Sequence, residues 1–233
     1  MDYIRDNIED VLENIAKAAD KVGRNRDEIT LIAVSKTKPV NDIEAALECH
    51  VKDMGENKVQ EIRQKYEVLG NDATWHMIGH LQSNKVKYII DKVGLIHSVD
   101  SIKLAEKINV EAKKADRIID ILIQLNAANE ETKFGIKTTE LDGFISQVSN
   151  MSHIRIRGLM TIAPYVEDPE ENREIFREIF QLAVDIKRKN IDNVNMDILS
   201  MGMTNDYMVA IEEGSTMVRV GTGIFGKRDY NKR

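Results

Sequence analysis

Ile119-Asp120-Ile121-Leu122-Ile123-Gln124-Leu125-Asn126 decides the fold. Its odd positions are all large and apolar, while its even positions carry Asp120, Gln124 and Asn126. A strand has a period of two, so the two sets face opposite ways. A parallel strand covered on both faces reads instead as a near-continuous apolar run. One apolar face and one mixed face suit a barrel strand that turns polar groups inward.

Working outward, strand-like runs recur near 29–35, 51–54, 74–79, 94–98, 155–160, 195–201 and 216–220. Amphipathic helical patterns lie between them, near 41–48, 56–66, 84–91, 101–115, 138–149, 170–189 and 204–213. Residues 2–22 add a helical stripe of Ile4, Ile8, Val11, Leu12, Ile15 and Ala18, stopped at Gly23. Eight strands alternating with helices predict a (β/α)8 TIM barrel with an extra N-terminal helix. An open doubly wound sheet uses the same local pattern and is the alternative. Only three prolines occur, with no linker-like stretch, so residues 1–233 read as one domain.

Composition narrows the setting. The 233 residues are 42% hydrophobic and 31% charged, ordinary for a folded soluble chain. The formal net charge of −6 argues against nucleic-acid binding through a general basic surface. Cys49 is the only cysteine and fits a reducing compartment. The first residues lack the apolar core of a secretory signal, and no apolar run is long enough to cross a bilayer. The expectation is a cytoplasmic protein with no membrane partner.

In a barrel the chemistry sits at the C-terminal ends of the strands. In Leu31-Ile32-Ala33-Val34-Ser35-Lys36-Thr37-Lys38-Pro39 an apolar strand runs straight into Lys36. Lysines prefer water, but one at a strand end facing a cavity is placed to form a Schiff base with a carbonyl compound. After strands seven and eight, Ser200, Gly202, Gly221 and Thr222 supply hydroxyls and approachable N–H groups of the kind a phosphate needs. Arg219 stands inside the apolar strand Thr216-Met217-Val218-Arg219-Val220 and needs an acceptor, whether a carboxylate or a heterocyclic nitrogen.

Two short motifs carry less. Gly221-Thr222-Gly223-Ile224-Phe225-Gly226 matches the dinucleotide fingerprint in letters alone, since no βαβ unit follows it. His76 and His80 lie on a strand running into a loop, without a third ligand in view, so no metal is expected and His76 reads as an ordinary buried histidine.

Six stretches together resemble one family. They are Ala33-Val34-Ser35-Lys36-Thr37-Lys38-Pro39, Gly55-Glu56-Asn57-Lys58-Val59-Gln60-Glu61, Trp75 to Lys85, Gly158-Leu159-Met160-Thr161-Ile162-Ala163-Pro164, Leu199-Ser200-Met201-Gly202-Met203-Thr204, and Gly214 to Thr222. In this order, over about residues 3 to 226, they look like the pyridoxal phosphate homeostasis protein family. Thr204 and Gly223 stand where serine and alanine are commoner. The resemblance implies a barrel similar to the N-terminal domain of alanine racemase. It implies pyridoxal 5′-phosphate (PLP) held as a Schiff base on Lys36, with Arg219 facing the pyridine nitrogen. It places the phosphate near Ser200, Gly221 and Thr222, and Asn57 and His80 along the cofactor cavity.

The resemblance further implies a PLP carrier or regulator of PLP supply, with PLP-dependent apoenzymes as recipients and no robust catalysis of its own. An arginine only donates, so it favours an unprotonated ring nitrogen and a weaker electron sink. Two-base racemisation also needs an acid/base on each face, and only Lys36 is evident, with Tyr165 a remote second candidate. A weak PLP-dependent amino-acid racemase is the first alternative. A Schiff-base aldolase acting on a sugar phosphate is the second, and it is independent of the resemblance. A closed barrel has no sheet edge to pair, so a monomer is expected.

Overall fold

The computed structural model describes residues 2–127 and 134–226. Eight parallel strands close into a barrel in chain order: β1 (Thr30–Val34), β2 (Asp53–Glu56), β3 (Thr74–Met77), β4 (Val93–Val99), β5 (Ile119–Leu125), β6 (Ile154–Thr161), β7 (Val194–Met203) and β8 (Met217–Val220). Pairing of β1 with β8, from Thr30 opposite Met217 to Ala33 opposite Val220, closes the ring and excludes the open sheet. The helices are α1 (Asp2–Lys21), α2 (Val40–Glu48), α3 (Val59–Leu69), α4 (Ile102–Lys114), α5 (Leu141–Val148), α6 (Arg173–Arg188), α7 (Tyr207–Glu212) and α8 (Thr222–Phe225).

The alternation in β5 sorts as its period requires. Ile119, Ile121, Ile123 and Leu125 pack outward against the helical ring. Leu122 turns inward and joins Leu95 and Met160 in a separate apolar cluster inside the barrel, flanked by Ile198 and Met217. Asp120 and Gln124 share the side of Leu122. Asp120 accepts from Arg155 Nε and Arg157 Nη1, both at 2.7 Å. Burying each large apolar side chain of the outer core is worth about 1.5–3 kcal/mol, so the ring of isoleucines and leucines dominates stability.

One crossover departs from expectation. The stretch near 84–91 forms only a short 3₁₀ turn, Ser83–Tyr88, not an α-helix. Gln82 makes no side-chain cap for it, and a helix of so few residues cannot offset its nucleation cost. Val86, Ile89 and Ile90 still bury their side chains, so the apolar pattern was real and only its geometry differed.

The extra helix has a place in the ring. α8 has only four residues, too few to cover β8 and β1. α1 packs against α2, α7 and α8 and buries Ile4, Ile8, Val11, Ile15, Ala18 and Ala19. Asn7 Nδ2 donates to Ile224 O at 2.8 Å, fastening α1 to α8. α1 therefore serves as the missing outer helix after β8.

At Gly158 β6 and β7 approach too closely for any side chain. A Cβ there would lie 1.7 Å from Ile198 O. The register of β6 against β7 shifts between Ile156 and Gly158, beside this contact.

Candidate functional site at the barrel mouth

Lys36 lies just beyond β1, between two residues held by α3 and β2. On one side Ser35 is fully buried, and its Oγ donates to Glu56 Oε1 at 2.7 Å. Lys65 Nζ, from α3, donates to Ser35 O at 2.7 Å and also reaches Glu56 Oε1 and Glu61 Oε2. On the other side Thr37 adopts φ +65°, a left-handed conformation that is costly for a β-branched residue. Its backbone N–H donates to Glu61 Oε2 at 2.6 Å. The Lys36 backbone is thus clamped before and after by one buried Glu56–Lys65–Glu61 cluster.

The charges of that cluster are tuned by burial. Burial pushes the Glu56 carboxyl up, against the pull of Lys65 and Ser35. Burial also acts to raise Glu61, but the Thr37 N–H and Lys65 outweigh it and hold Glu61 below the usual carboxylate range. Glu56 Oε2 is buried without a hydrogen-bond partner among the described residues. Glu56 and Glu61 fall in one of the six stretches quoted above, but neither they nor Lys65 was given a role from sequence, although Glu61 and Lys65 stand four apart on α3 and close behind Glu56.

The cavity at the C-terminal mouth has a volume of about 750 Å³, within the range of small-molecule sites. Of the seven residues expected there, Lys36, Asn57, Arg219, Gly221 and Thr222 line it. Arg219 enters from β8, almost fully buried. Its Nη1 donates to Ser200 O and Ser200 Oγ, both at 2.7 Å, and its Nη2 to Thr161 O at 2.9 Å. The acceptors are two carbonyls and a hydroxyl. No carboxylate forms an ion pair with Arg219 among the described residues. Burial draws the guanidinium down to about 10, opposed by Asp206, so it stays charged at neutral pH.

Two expected site residues lie elsewhere. Ser200 is fully buried beneath Arg219, and its Oγ is also 2.9 Å from His97 Nδ1. It faces the barrel interior and does not line the mouth cavity. His80 sits on the β3–β4 loop, stacked on Phe134 with ring centroids 3.8 Å apart and Nδ1 3.3 Å from Asp100 Oδ2. It is absent from the cavity lining, because the loop turns it towards Phe134. His76 is inside the barrel with Asp53 and His97, so His76 and His80 do not form a pair. No cluster of three metal-ligating side chains occurs among the described residues.

Thr204, not Ser200, lines the cavity beside Gly221 and Thr222. Gly221 N, Gly223 N and Thr222 Oγ1 converge on Thr204 Oγ1 at 3.4, 3.4 and 3.3 Å. One hydroxyl oxygen has two lone pairs, so three donors share it through long contacts. A group with several acceptor oxygens would satisfy them better. A Cβ on Gly223 would come within 2.9 Å of Val220 Cγ1 and 3.2 Å of Thr204 Cγ2, so a larger residue would crowd this corner. An amine, a donor-only cation and a converging set of phosphate-type donors thus share one mouth. The three bonds from Arg219 leave two of its five guanidinium N–H groups, one on Nη2 and the one on Nε, outside these contacts, and Arg219 lines the cavity. These groups fit a phosphorylated aromatic aldehyde with a ring nitrogen, which is the chemistry of PLP.

Known proteins resemble this chain along its length. The family described as alanine racemase, N-terminal domain, matches residues 7–229. A pyridoxal phosphate homeostasis protein of Aquifex aeolicus is 44% identical over 221 residues, covering 94% of this chain and 96% of its own. The solved structure of PipY from Synechococcus elongatus with PLP bound is 34% identical with a TM-score of 0.80, covering 91% of this chain and 100% of its own. An alanine racemase of Clostridium difficile superposes with a TM-score of 0.75 at 16% identity, over 99% of this chain and 58% of its own, a likeness of fold.

Proposed function

The chain belongs to the pyridoxal phosphate homeostasis protein family, and from that premise we propose that it binds PLP in the mouth cavity as a reversible store or carrier, without robust catalysis of its own. The observation that carries this is the meeting of Lys36, Arg219, Thr204, Gly221 and Thr222 in one cavity, with Gly223 N donating to the same Thr204 hydroxyl. When bound, the cofactor supplies an aldehyde that an amine captures and a ring that withdraws electrons.

Each residue has a task. Lys36 is the covalent anchor through its amine, and such a linkage is reversible by water or by another amine. Arg219 meets the ring nitrogen as a charged donor and yields no proton to it. The Gly221 and Gly223 N–H groups, with the Thr204 and Thr222 hydroxyls, hold the phosphate. Asn57 borders the ring. The Glu56–Lys65–Glu61 cluster keeps the Lys36 backbone in place. Residues 1–233 act as one domain, a monomer that passes PLP to dependent apoenzymes. No helix among the described residues is long and apolar enough to cross a membrane, and Cys49, the only cysteine, suits a reducing cytoplasmic setting.

The test is the absorbance spectrum of the purified protein with PLP, for wild type and Lys36→Ala, followed by borohydride reduction and peptide mapping. A visible band lost in the variant, with the reduced adduct on Lys36, supports the reading. No band and no adduct would sink it, and would favour a Schiff-base aldolase acting on a sugar phosphate. A weak racemase is the second reading, because Tyr165 lines the same cavity as Lys36. Tyr165 is 86% exposed, a poor setting for a fixed base. Uptake of solvent deuterium at Cα of an added amino acid, lost in Tyr165→Phe, would favour it.

A further inference from the structure

The barrel interior holds a polar line that the proposed PLP chemistry does not use. Asp53 stands at the start of β2, at the end of the barrel opposite the cavity. Its Oδ1 is 2.9 Å from His76 Nε2. His76 Nδ1 is 2.9 Å from His97 Nε2, and His97 Nδ1 is 2.9 Å from Ser200 Oγ. Ser200 Oγ in turn accepts from Arg219 Nη1. His97 and Ser200 are wholly buried, while the Asp53 side chain is 31% exposed. Bulky apolar side chains usually fill such an interior, so two buried histidines in series call for an explanation.

We propose that Asp53, His76, His97 and Ser200 form a positioning relay that sets the direction in which Arg219 donates, from the far end of the barrel. The role assigned to Arg219 rests on the PLP reading above, while the relay itself rests on geometry alone. Both ends of the line are chemically fixed: a guanidinium only donates and a carboxylate only accepts. Because Asp53 Oδ1 accepts, a neutral His76 carries its proton on Nε2 and accepts on Nδ1. His97 must then carry its proton on Nε2 and accept on Nδ1. The Ser200 hydroxyl supplies that proton, which leaves its oxygen free to accept from Arg219. Every bond then runs the same way, from Arg219 to Asp53.

The reverse order is unfavourable. It would place His97 Nδ1–H and Arg219 Nη1–H on the same Ser200 oxygen, and would leave the Ser200 hydroxyl proton without an acceptor in the line. Hydrogen bonds aligned in series also polarise one another, so a change at Asp53 is felt at Arg219. Asp53 does not border the cavity, so it acts through Arg219 and not by contact with a ligand.

The test uses the full chain with ¹⁵N-labelled histidine and arginine, as wild type, Asp53→Ala and Asp53→Glu. In wild type, NMR should show His76 and His97 neutral, both protonated on Nε2, and slowly exchanging Nη protons on Arg219. Asp53→Ala should mix the tautomers, speed Arg219 exchange and raise the PLP dissociation constant about 3–10-fold, the size of one net hydrogen bond. Asp53→Glu keeps an acceptor-only end and should restore all three. An Nδ1-protonated ring in wild type overturns the proposal. So does an Asp53→Ala variant whose tautomers and Arg219 exchange match wild type. If wild type takes up no PLP, the cofactor reading fails, and the NMR readouts still decide the relay.

Discussion

Glu61 Oε2 accepts the backbone N–H of Thr37 at 2.6 Å, joining α3 to the loop that presents Lys36. Thr37 is left-handed at φ +65°, so this bond holds the loop in a conformation that threonine resists. Glu61→Ala should cost about 1.5–3 kcal/mol, the worth of a hydrogen bond to a charged group. Denaturant unfolding measures that cost. Slower capture of PLP by an otherwise intact Lys36, followed by stopped-flow absorbance, would show that the loop geometry matters to the amine. An unchanged capture rate would confine Glu61 to stability.

Thr204 gathers the donors of Gly221, Thr222 and Gly223. If these hold a phosphate, Thr204→Val should weaken PLP binding about 10-fold. Pyridoxal without its phosphate should bind both proteins alike. Titration of the two ligands by fluorescence separates the outcomes, and equal losses for both would move the phosphate elsewhere.

His97 makes stability depend on pH. Burial, then the nearby His76 and Arg219, hold its pKa well below the ordinary value. The folded protein therefore refuses a proton that the unfolded chain accepts near pH 6.5. The stabilising contribution is complete above that pH and is lost as pH falls towards the depressed folded value, at about 1.4 kcal/mol per pH unit. Urea midpoints between pH 7 and pH 5 should fall accordingly. In His97→Phe that part of the slope should vanish, even if the variant is less stable overall.

Gly158→Ala should be among the most damaging single changes outside the cavity. The new methyl would collide with Ile198 O, a backbone atom that cannot swing aside. We expect a loss of about 3 kcal/mol or more, or no soluble protein. Gly143→Ala is the control, because a Cβ there meets nothing within 4 Å. Replacing a helical glycine by alanine should be neutral or slightly stabilising. Thermal unfolding compares the two.

Much of the molecule was legible in the chain itself. The alternation of Ile119 to Leu125 announced a strand with two unlike faces, and the eight apolar runs with their intervening amphipathic stretches gave the barrel. Lys36 and Arg219 stood out because each is a cation beside or within an apolar strand, and both reach the mouth cavity. The six-residue turn Ser83–Tyr88 departs from the helical reading because buried apolar spacing looks alike in an α-helix and a 3₁₀ turn.

What the sequence alone determined was periodic: which residues face in, which face out, and which polar groups end a strand, because these follow from backbone geometry within a few residues. What the tertiary structure decided was partnership. Ser200 lies under Arg219 and not along the mouth cavity; His76 meets His97 and Asp53 and not His80; Lys65 turns inward to brace Ser35. His97 and Ser200 are 103 positions apart and meet only because barrel closure brings β4 and β7 across one lumen. Strand period fixes the direction of a side chain, but barrel closure and register fix what it meets.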